Sequence, residues 1–386
     1  VTLIEIAPPP ATGAWREGDP AGRRQWVRLD QPLPLEFGGE LPAVSIAYET
    51  WGTLAPDGSN AVLVMHALTG DSHVAGPAGE GHPTPGWWDA VVGPGRALDP
   101  ERWFIVAPNV VGGCQGSTGP ASIAPDGRPW GSRFPLVTIR DSVRAETVLA
   151  DALGVTRWAC VVGGSMGGMR ALEWAATEPD RVERLFLLAS PAATAAEQIA
   201  WCAPQLAAIR GDPHWRGGDY HDAPPGRGPH VGLGVARRIA HLSYRSPFEL
   251  AERFGRDPQA GEDPAKGGRY AVESYLDYHA AKLVRRFDAA TYVRLTEMMN
   301  AHDVGRDRGG VAEGLARVTA QTLVAGVSSD RLYPLEQQRE LVAGIPGAAD
   351  LHVIDSPYGH DGFLIEAATV SRLLSGLLGT PGRLSL

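Results

Sequence analysis

The stretch Trp158-Ala-Cys-Val-Val-Gly-Gly-Ser-Met-Gly-Gly-Met169 decides how the rest of the chain is read. Its first half is an unbroken apolar run, the pattern of a strand buried on both faces. Its second half is glycine on both sides of one serine, and Met169-Arg-Ala-Leu-Glu-Trp-Ala175 then reads as a helix. Gly163-x-Ser165-x-Gly167 between a strand and a helix is the pattern of a sharp turn that exposes a serine nucleophile. Small neighbours are needed because a strained turn leaves no room for side chains beside it. A phosphate-binding loop is the competing reading, but neither GxxxxGK[ST] nor GxGxxG spacing is present.

Working outward, Val44–Thr50, Ala61–Met65, Trp103–Ala107, Trp158–Val162, Leu185–Leu188, Thr322–Val327 and Leu351–Ile354 read as strands. Asp141–Leu153 reads as a helix, with Val143, Val148, Leu149 and Leu153 on one stripe and a stop at Gly154. Strands alternating with helices predict an α/β fold with a mostly parallel sheet flanked by helices. The alternation lapses between 192 and 317, where helical patterns such as Gly234–Leu242 and Tyr270–Phe287 are joined by Pro/Gly-rich segments. This stretch is expected as a helical lid inserted between strands, rather than as a second independent domain, because strands resume directly after it. The expected organisation is residues 1–40 as an extension with the first strands, 41–191 and 318–386 as the core, and 192–317 as the lid.

Composition narrows the function. The 386 residues carry a net charge of −9 without Lys/Arg-rich runs, a poor match for nucleic acid. No apolar stretch approaches roughly 20 residues, so no transmembrane helix is expected. Val1–Pro20 is Pro-rich and lacks the basic start and apolar core of a signal peptide; it is expected to be disordered. Cys114, Cys160 and Cys202 form no CxxC pair, which fits a reducing cytoplasm. Gly 48 and Pro 32 are high, but 11 tryptophans and 44% hydrophobic residues predict a large core.

A nucleophilic serine needs a base, and the base needs an orienting acid. In the α/β-hydrolase fold both follow the serine, on loops after later strands. Asp330 follows the strand Thr322–Val327, and His360 follows Leu351–Ile354, so these two are the candidates. Asp361, adjacent to His360, is a rival acid but is assigned to substrate contact. The loop His66-Ala-Leu-Thr-Gly-Asp-Ser-His73 follows an early strand, so the backbone amides of Leu68 and Met166 are the expected oxyanion donors. A metal site on His66 and His73 lacks a third ligand, and HExxH is absent, so no metal is expected.

With these residues placed, the chain resembles the homoserine O-acetyltransferases of the α/β-hydrolase superfamily. The resemblance runs from about 47 to 366. It rests on His66–His73, Asn109-Val-Val-Gly-Gly-Cys-Gln-Gly-Ser-Thr-Gly-Pro120, Gly163–Gly168, Ala301-His-Asp-Val-Gly305, Ser329-Asp-Arg-Leu-Tyr-Pro334 and Gly359-His-Asp-Gly-Phe-Leu364. Gly81-His-Pro-Thr-Pro-Gly-Trp-Trp-Asp89 looks most like actinobacterial members. The resemblance implies ping-pong acetyl transfer from acetyl-CoA to L-homoserine in methionine biosynthesis, through acyl-Ser165, with no permanently bound cofactor. It also implies that Arg237, in Gly232-Leu-Gly-Val-Ala-Arg-Arg-Ile239, binds the amino acid carboxylate and Asp361 its ammonium. A homodimer through lid helices is implied as well. Succinyl transfer, a serine acceptor and plain ester hydrolysis are the alternatives. The residues contacting the CoA phosphates are not legible.

Overall fold

The computed structural model describes residues 7–379. Its central sheet has eight strands: β1 (Gln25–Arg28), β2 (Ser45–Trp51), β3 (Ala61–Met65), β4 (Phe104–Pro108), β5 (Cys160–Gly164), β6 (Arg184–Leu188), β7 (Gln321–Val327) and β8 (His352–Ile354). They lie in the order β1-β2-β4-β3-β5-β6-β7-β8. β2 is antiparallel to both of its neighbours, and every other pair is parallel. The apolar runs are continuous because the sheet is covered on both faces. Met65, Val161 and Leu187 enter one core layer, while Val64, Val162 and Phe186 enter the other.

Seven strands fall within two residues of their expected positions. The edge strand β1 falls in the stretch 1–40 expected to hold the first strands, but its bounds were not readable: Gln-Trp-Val-Arg has no apolar run, and only its pairing with β2 makes it a strand. Helix α1 (Ile139–Ala152) starts earlier than its apolar stripe suggests, because Thr138 caps it. The Thr138 hydroxyl accepts from the Asp141 amide at 3.1 Å, and the Asp141 carboxylate accepts from the Thr138 amide at 3.0 Å. Val148, assigned to the buried stripe, instead faces solvent.

Helix α2 (Met166–Thr177) packs on α1 through a buried ion pair. The Arg170 guanidinium meets Glu146 with Nε 3.1 Å from Oε1, and the Trp174 indole donates to Oε2 at 2.9 Å. Neither charged side chain reaches water. Such a pair orients the two helices, and removing one partner would strand a buried charge.

Residues 192–317 contain six helices: α3 (Ala196–Arg210), α4 (His230–Tyr244), α5 (Pro247–Phe254), α6 (Ala271–Val284), α7 (Ala289–Asn300) and α8 (Val311–Ala316). α4 packs between α3 and α6. On α6, Tyr275 lies 5.1 Å from Phe254 and 4.5 Å from His279, whereas Tyr278 is largely exposed.

The expectation of disorder over Val1–Pro20 is corrected where the structure describes it; residues 1–6 lie outside the described residues. The Gly13 amide donates to Phe287 O at 3.2 Å and the Trp15 amide to Cys114 O at 2.9 Å. Trp15 also stacks on Trp26 at 5.0 Å. Backbone pairing and an aromatic anchor order a Pro-rich segment that composition marks as coil. Among the described residues, no single helix is long and apolar enough to cross a membrane.

Three of the buried histidines are held well below the ordinary imidazole range. Burial holds His302 at about 4; burial aided by the Arg170 charge holds His66 at about 3, and burial with the Arg237 charge holds His241 at about 2. Unfolding returns each to its ordinary value near 6.5, so below that pH the unfolded chain binds more protons than the native one. Stability should therefore fall as pH drops from about 6.5 toward 4, by about 1.4 kcal/mol per pH unit for each histidine. Urea midpoints measured across that range check this, and a flat profile would contradict it.

Candidate active site

β5 ends at Gly164, and its register sets Gly163 beside Met65 at the end of β3. The serine turn and the 66–73 loop therefore leave the sheet side by side. β3 is flanked by β4 and β5, where the strand order reverses, and the crevice at such a point is where α/β sheets bind ligands. Ser165 has φ 57° and ψ −126°, a backbone conformation an L-residue adopts only when its surroundings enforce it. The enforcement is visible. The Ser165 amide donates to Leu188 O at 3.0 Å, and its carbonyl accepts from Ser190 Oγ at 3.0 Å and the Gly168 amide at 2.9 Å. A Cβ on Gly163 would sit 2.2 Å from Gly167 O, and one on Gly167 2.2 Å from Met65 O. α2 begins at Met166, three residues before the helical run read from sequence, so the elbow leads straight into the first helical turn.

Asp330 and His360 are brought together from loops after β7 and β8. His360 Nδ1 lies 2.7 Å from Asp330 Oδ2. The other oxygen, Oδ1, accepts from the Leu332 and Tyr333 amides at 2.8 and 3.0 Å. Ser329 ties the loops together, accepting from the Gly359 amide at 2.9 Å and donating to Ser356 O. A carboxylate only accepts, so the His360 proton sits on Nδ1 and Nε2 carries the lone pair. Nε2 is buried and has no partner. The Tyr333, Phe363 and Tyr244 rings surround the imidazole at 5.1, 5.2 and 5.9 Å. The Tyr333 side chain also contacts that of Ser165. Asp361, the rival acid, turns to Arg245 instead, at 3.2 Å.

Among the described residues, the amides of Leu68 and Met166 donate no hydrogen bond. Two free N–H groups, one on the loop after β3 and one at a helix start, suit an oxyanion. His66 holds the loop in place: its Nε2 accepts from the Val110 amide at 3.1 Å, which requires the neutral ring that burial enforces.

Arg237 and Asp361 line one cavity of about 340 Å³. Arg237 Nε and Nη1 are buried without a partner, and its guanidinium lies 5.7 Å from the Tyr244 ring centroid. Unpartnered buried guanidinium nitrogens are costly unless an anion arrives. Sequence reading missed Arg245, which joins Asp361 to Glu249; its Nη2 lies 2.7 Å from Glu249 Oε1. The i,i+4 spacing of Arg245 and Glu249 was the available signal. Burial raises the Asp361 carboxyl, opposed by the Arg245 and Arg237 charges.

His73 does not join His66. It pairs with Glu49 at 3.0 Å and stacks on His82 at 3.8 Å with rings 10° apart. These three donors lie within 4.8 Å of one another, a grouping the sequence did not reveal. Their lone pairs are engaged, however, since His82 Nε2 accepts from the Arg23 amide at 3.0 Å and Glu49 also accepts from Ser72 Oγ at 3.0 Å. The stacked rings complete a buried polar brace.

Asp330→Asn should leave the fold intact. Its amide would donate to His360 Nδ1 and move the imidazole proton to Nε2, so the ring could no longer accept a proton from Ser165. Acylation by p-nitrophenyl acetate should slow by about 10⁴-fold. A loss under about tenfold would mean that Asp330 does not set the tautomer.

A family model for the alpha/beta hydrolase fold matches residues 60–367. The chain is 70% identical over 375 residues to a homoserine O-acetyltransferase of Thermobifida fusca (strain YX), covering 97% of this chain and 99% of that protein. It is 55% identical over 351 residues to a homoserine O-acetyltransferase of Mycobacterium tuberculosis (strain ATCC 25177 / H37Ra), covering 91% and 92%. Among solved structures, a homoserine O-acetyltransferase from Bacillus anthracis superposes with a TM-score of 0.83 at 26% identity, over 92% of this chain and 97% of that one. On its sequence, its sheet and its serine elbow alike, the chain belongs to the homoserine O-acetyltransferase family of the α/β-hydrolase fold.

Proposed function

We infer that the protein transfers the acetyl group of acetyl-CoA to the side-chain hydroxyl of L-homoserine, a step of methionine biosynthesis carried out in the cytoplasm. The observation that carries this reading is the unpartnered guanidinium of Arg237 in the same cavity as Asp361. One cation and one anion are what an amino acid's carboxylate and ammonium require, and a simple ester would need neither.

In this reading Ser165 Oγ attacks the thioester carbonyl while His360 Nε2 takes its proton. The oxyanion rests on the Leu68 and Met166 amides. CoA leaves as its thiol, protonated by His360, and the acetyl group remains on Ser165. The homoserine hydroxyl then gives its proton to Nε2 and attacks the acyl-enzyme, and the proton returns to Ser165 as O-acetylhomoserine departs. Asp330 holds the imidazole through both halves. The helical segment 192–317 acts as a lid, since α4 supplies Arg237 and Tyr244 over a His360 that is only 3% exposed. Keeping water from the acyl-enzyme favours transfer over hydrolysis. Aromatic rings on three sides of His360 suit a short acyl group. Val231, Phe248 and Tyr278, exposed on α4, α5 and α6, support pairing of two copies through the lid.

Purified protein should release CoA from acetyl-CoA at a rate that depends on homoserine, and far more slowly with succinyl-CoA or with serine. Ser165→Ala should abolish release. Arg237→Ala should raise the KM for homoserine by about tenfold or more while acylation of Ser165 persists. Release of CoA indifferent to homoserine, with ready cleavage of simple esters, would replace this reading with a hydrolase. Sedimentation should give twice the mass of one chain; a monomer would remove the lid pairing.

A further inference from the structure

The cavity that holds Arg237 and Asp361 is more positive than an amino acid requires. Lys282, Arg286 and Arg245 also line it. His241 and His279 line it as neutral rings, held by burial and then by the Arg237 charge at about 2 and about 4. Nearby cations are spoken for: Arg238 pairs with Asp277 at 2.7 Å and Arg245 with Glu249 at 2.7 Å. Among the described residues, no carboxylate lies within ion-pair distance of Arg237, Lys282 or Arg286. Arg286 donates to Thr69 O at 2.9 Å, next to Leu68, so it borders the oxyanion loop. Asp71 attracts Arg286 without pairing with it. Lys282 stands one helical turn before Arg286, on the exposed side of the opening.

The cations therefore divide in two. Arg237 keeps buried, unpartnered nitrogens beside Tyr244, whose ring in turn neighbours His360. Lys282 and Arg286 stand along one face from solvent to the oxyanion loop. A ligand reaching from Ser165 to solvent would meet Arg286 with polar atoms along its length and Lys282 with negative charge at its far end. An acyl carrier with a neutral arm and a phosphorylated end has that distribution.

We propose that Lys282 forms the outer subsite for the phosphates of CoA, with the pantetheine arm running inward past Arg286, which faces the arm's amide oxygens, to Ser165. This rests on the acetyl-CoA reading above. Apolar Leu364 and Ile365 in the same lining suit the neutral arm. Two cations without acidic partners attract polyanions from solution and release them as salt rises.

The experiment is equilibrium binding by calorimetry of CoA, dephospho-CoA and pantetheine to the wild type, Lys282→Ala and Lys282→Glu, at low and high salt. Lys282 is exposed, so neither variant should disturb folding, and the melting temperature verifies this. The wild type should bind CoA at least about tenfold tighter than pantetheine, with the gap narrowing in salt. Lys282→Glu should weaken CoA by about tenfold or more, Lys282→Ala by less, and pantetheine not at all. Dephospho-CoA locates the contact: a loss as large as for CoA places Lys282 on the pyrophosphate, and a smaller one on the 3′-phosphate. In turnover, the KM for acetyl-CoA should rise while the KM for homoserine holds. Equal affinity of the wild type for CoA and pantetheine, or CoA binding unchanged in Lys282→Glu, overturns the proposal. Failure of the transferase reading is distinguishable, because the wild type would then show no homoserine-dependent CoA release.

Discussion

The left-handed backbone of Ser165 is the constraint on which the rest of the site depends. A non-glycine residue at φ 57° relaxes unless it is held, and here the end of β6, the start of α2 and the end of β3 all hold it. The close approach between Gly167 and Met65 O brings the loop after β3 against the first turn of α2. That contact brings the loop that carries Leu68 close to the helix start that carries Met166. Small residues around the turn are therefore a packing requirement.

Around that turn, buried polar groups supply rigidity that apolar packing alone would not. Arg170 and Glu146 lock α2 to α1, and His66 joins the oxyanion loop to the strand-end loop at Val110. Glu49, His73, Ser72 and His82 brace the same loop from its far end. Burial holds the His66 ring neutral, whereas at His73 the hydrogen bond and charge of Glu49 outweigh burial and raise the imidazole. The same burial makes the molecule acid-sensitive.

Much of this was legible in the sequence because it is local. An unbroken apolar run followed by Gly-Gly-Ser-Met-Gly-Gly can hardly be anything but a buried strand entering a tight turn. Asp330 and His360 were found from chain order after strands. The position of β1 within residues 1–40 was not legible because its identity as a strand comes from pairing with Ser45–Tyr48. The ordering of residues 7–20 was missed for the same reason, since its hydrogen bonds go to Cys114 and Phe287. Arg245 escaped notice because its importance lies in reaching Asp361, 116 positions along the chain.

By itself, the sequence determined the α/β alternation and the strand-turn-helix around Ser165, and it named Asp330 and His360, which the structure places 2.7 Å apart. Periodicity and turn chemistry depend on neighbouring residues, and these motifs carry them in short stretches. Only the tertiary structure decided which charges meet: Asp361 with Arg245, His73 with Glu49, and, among the described residues, Arg237, Lys282 and Arg286 with no carboxylate at ion-pair distance. Electrostatic pairing depends on distance and burial in space, and neither is written in the spacing of a chain that returns to the same cavity from residues 69, 237, 286 and 361.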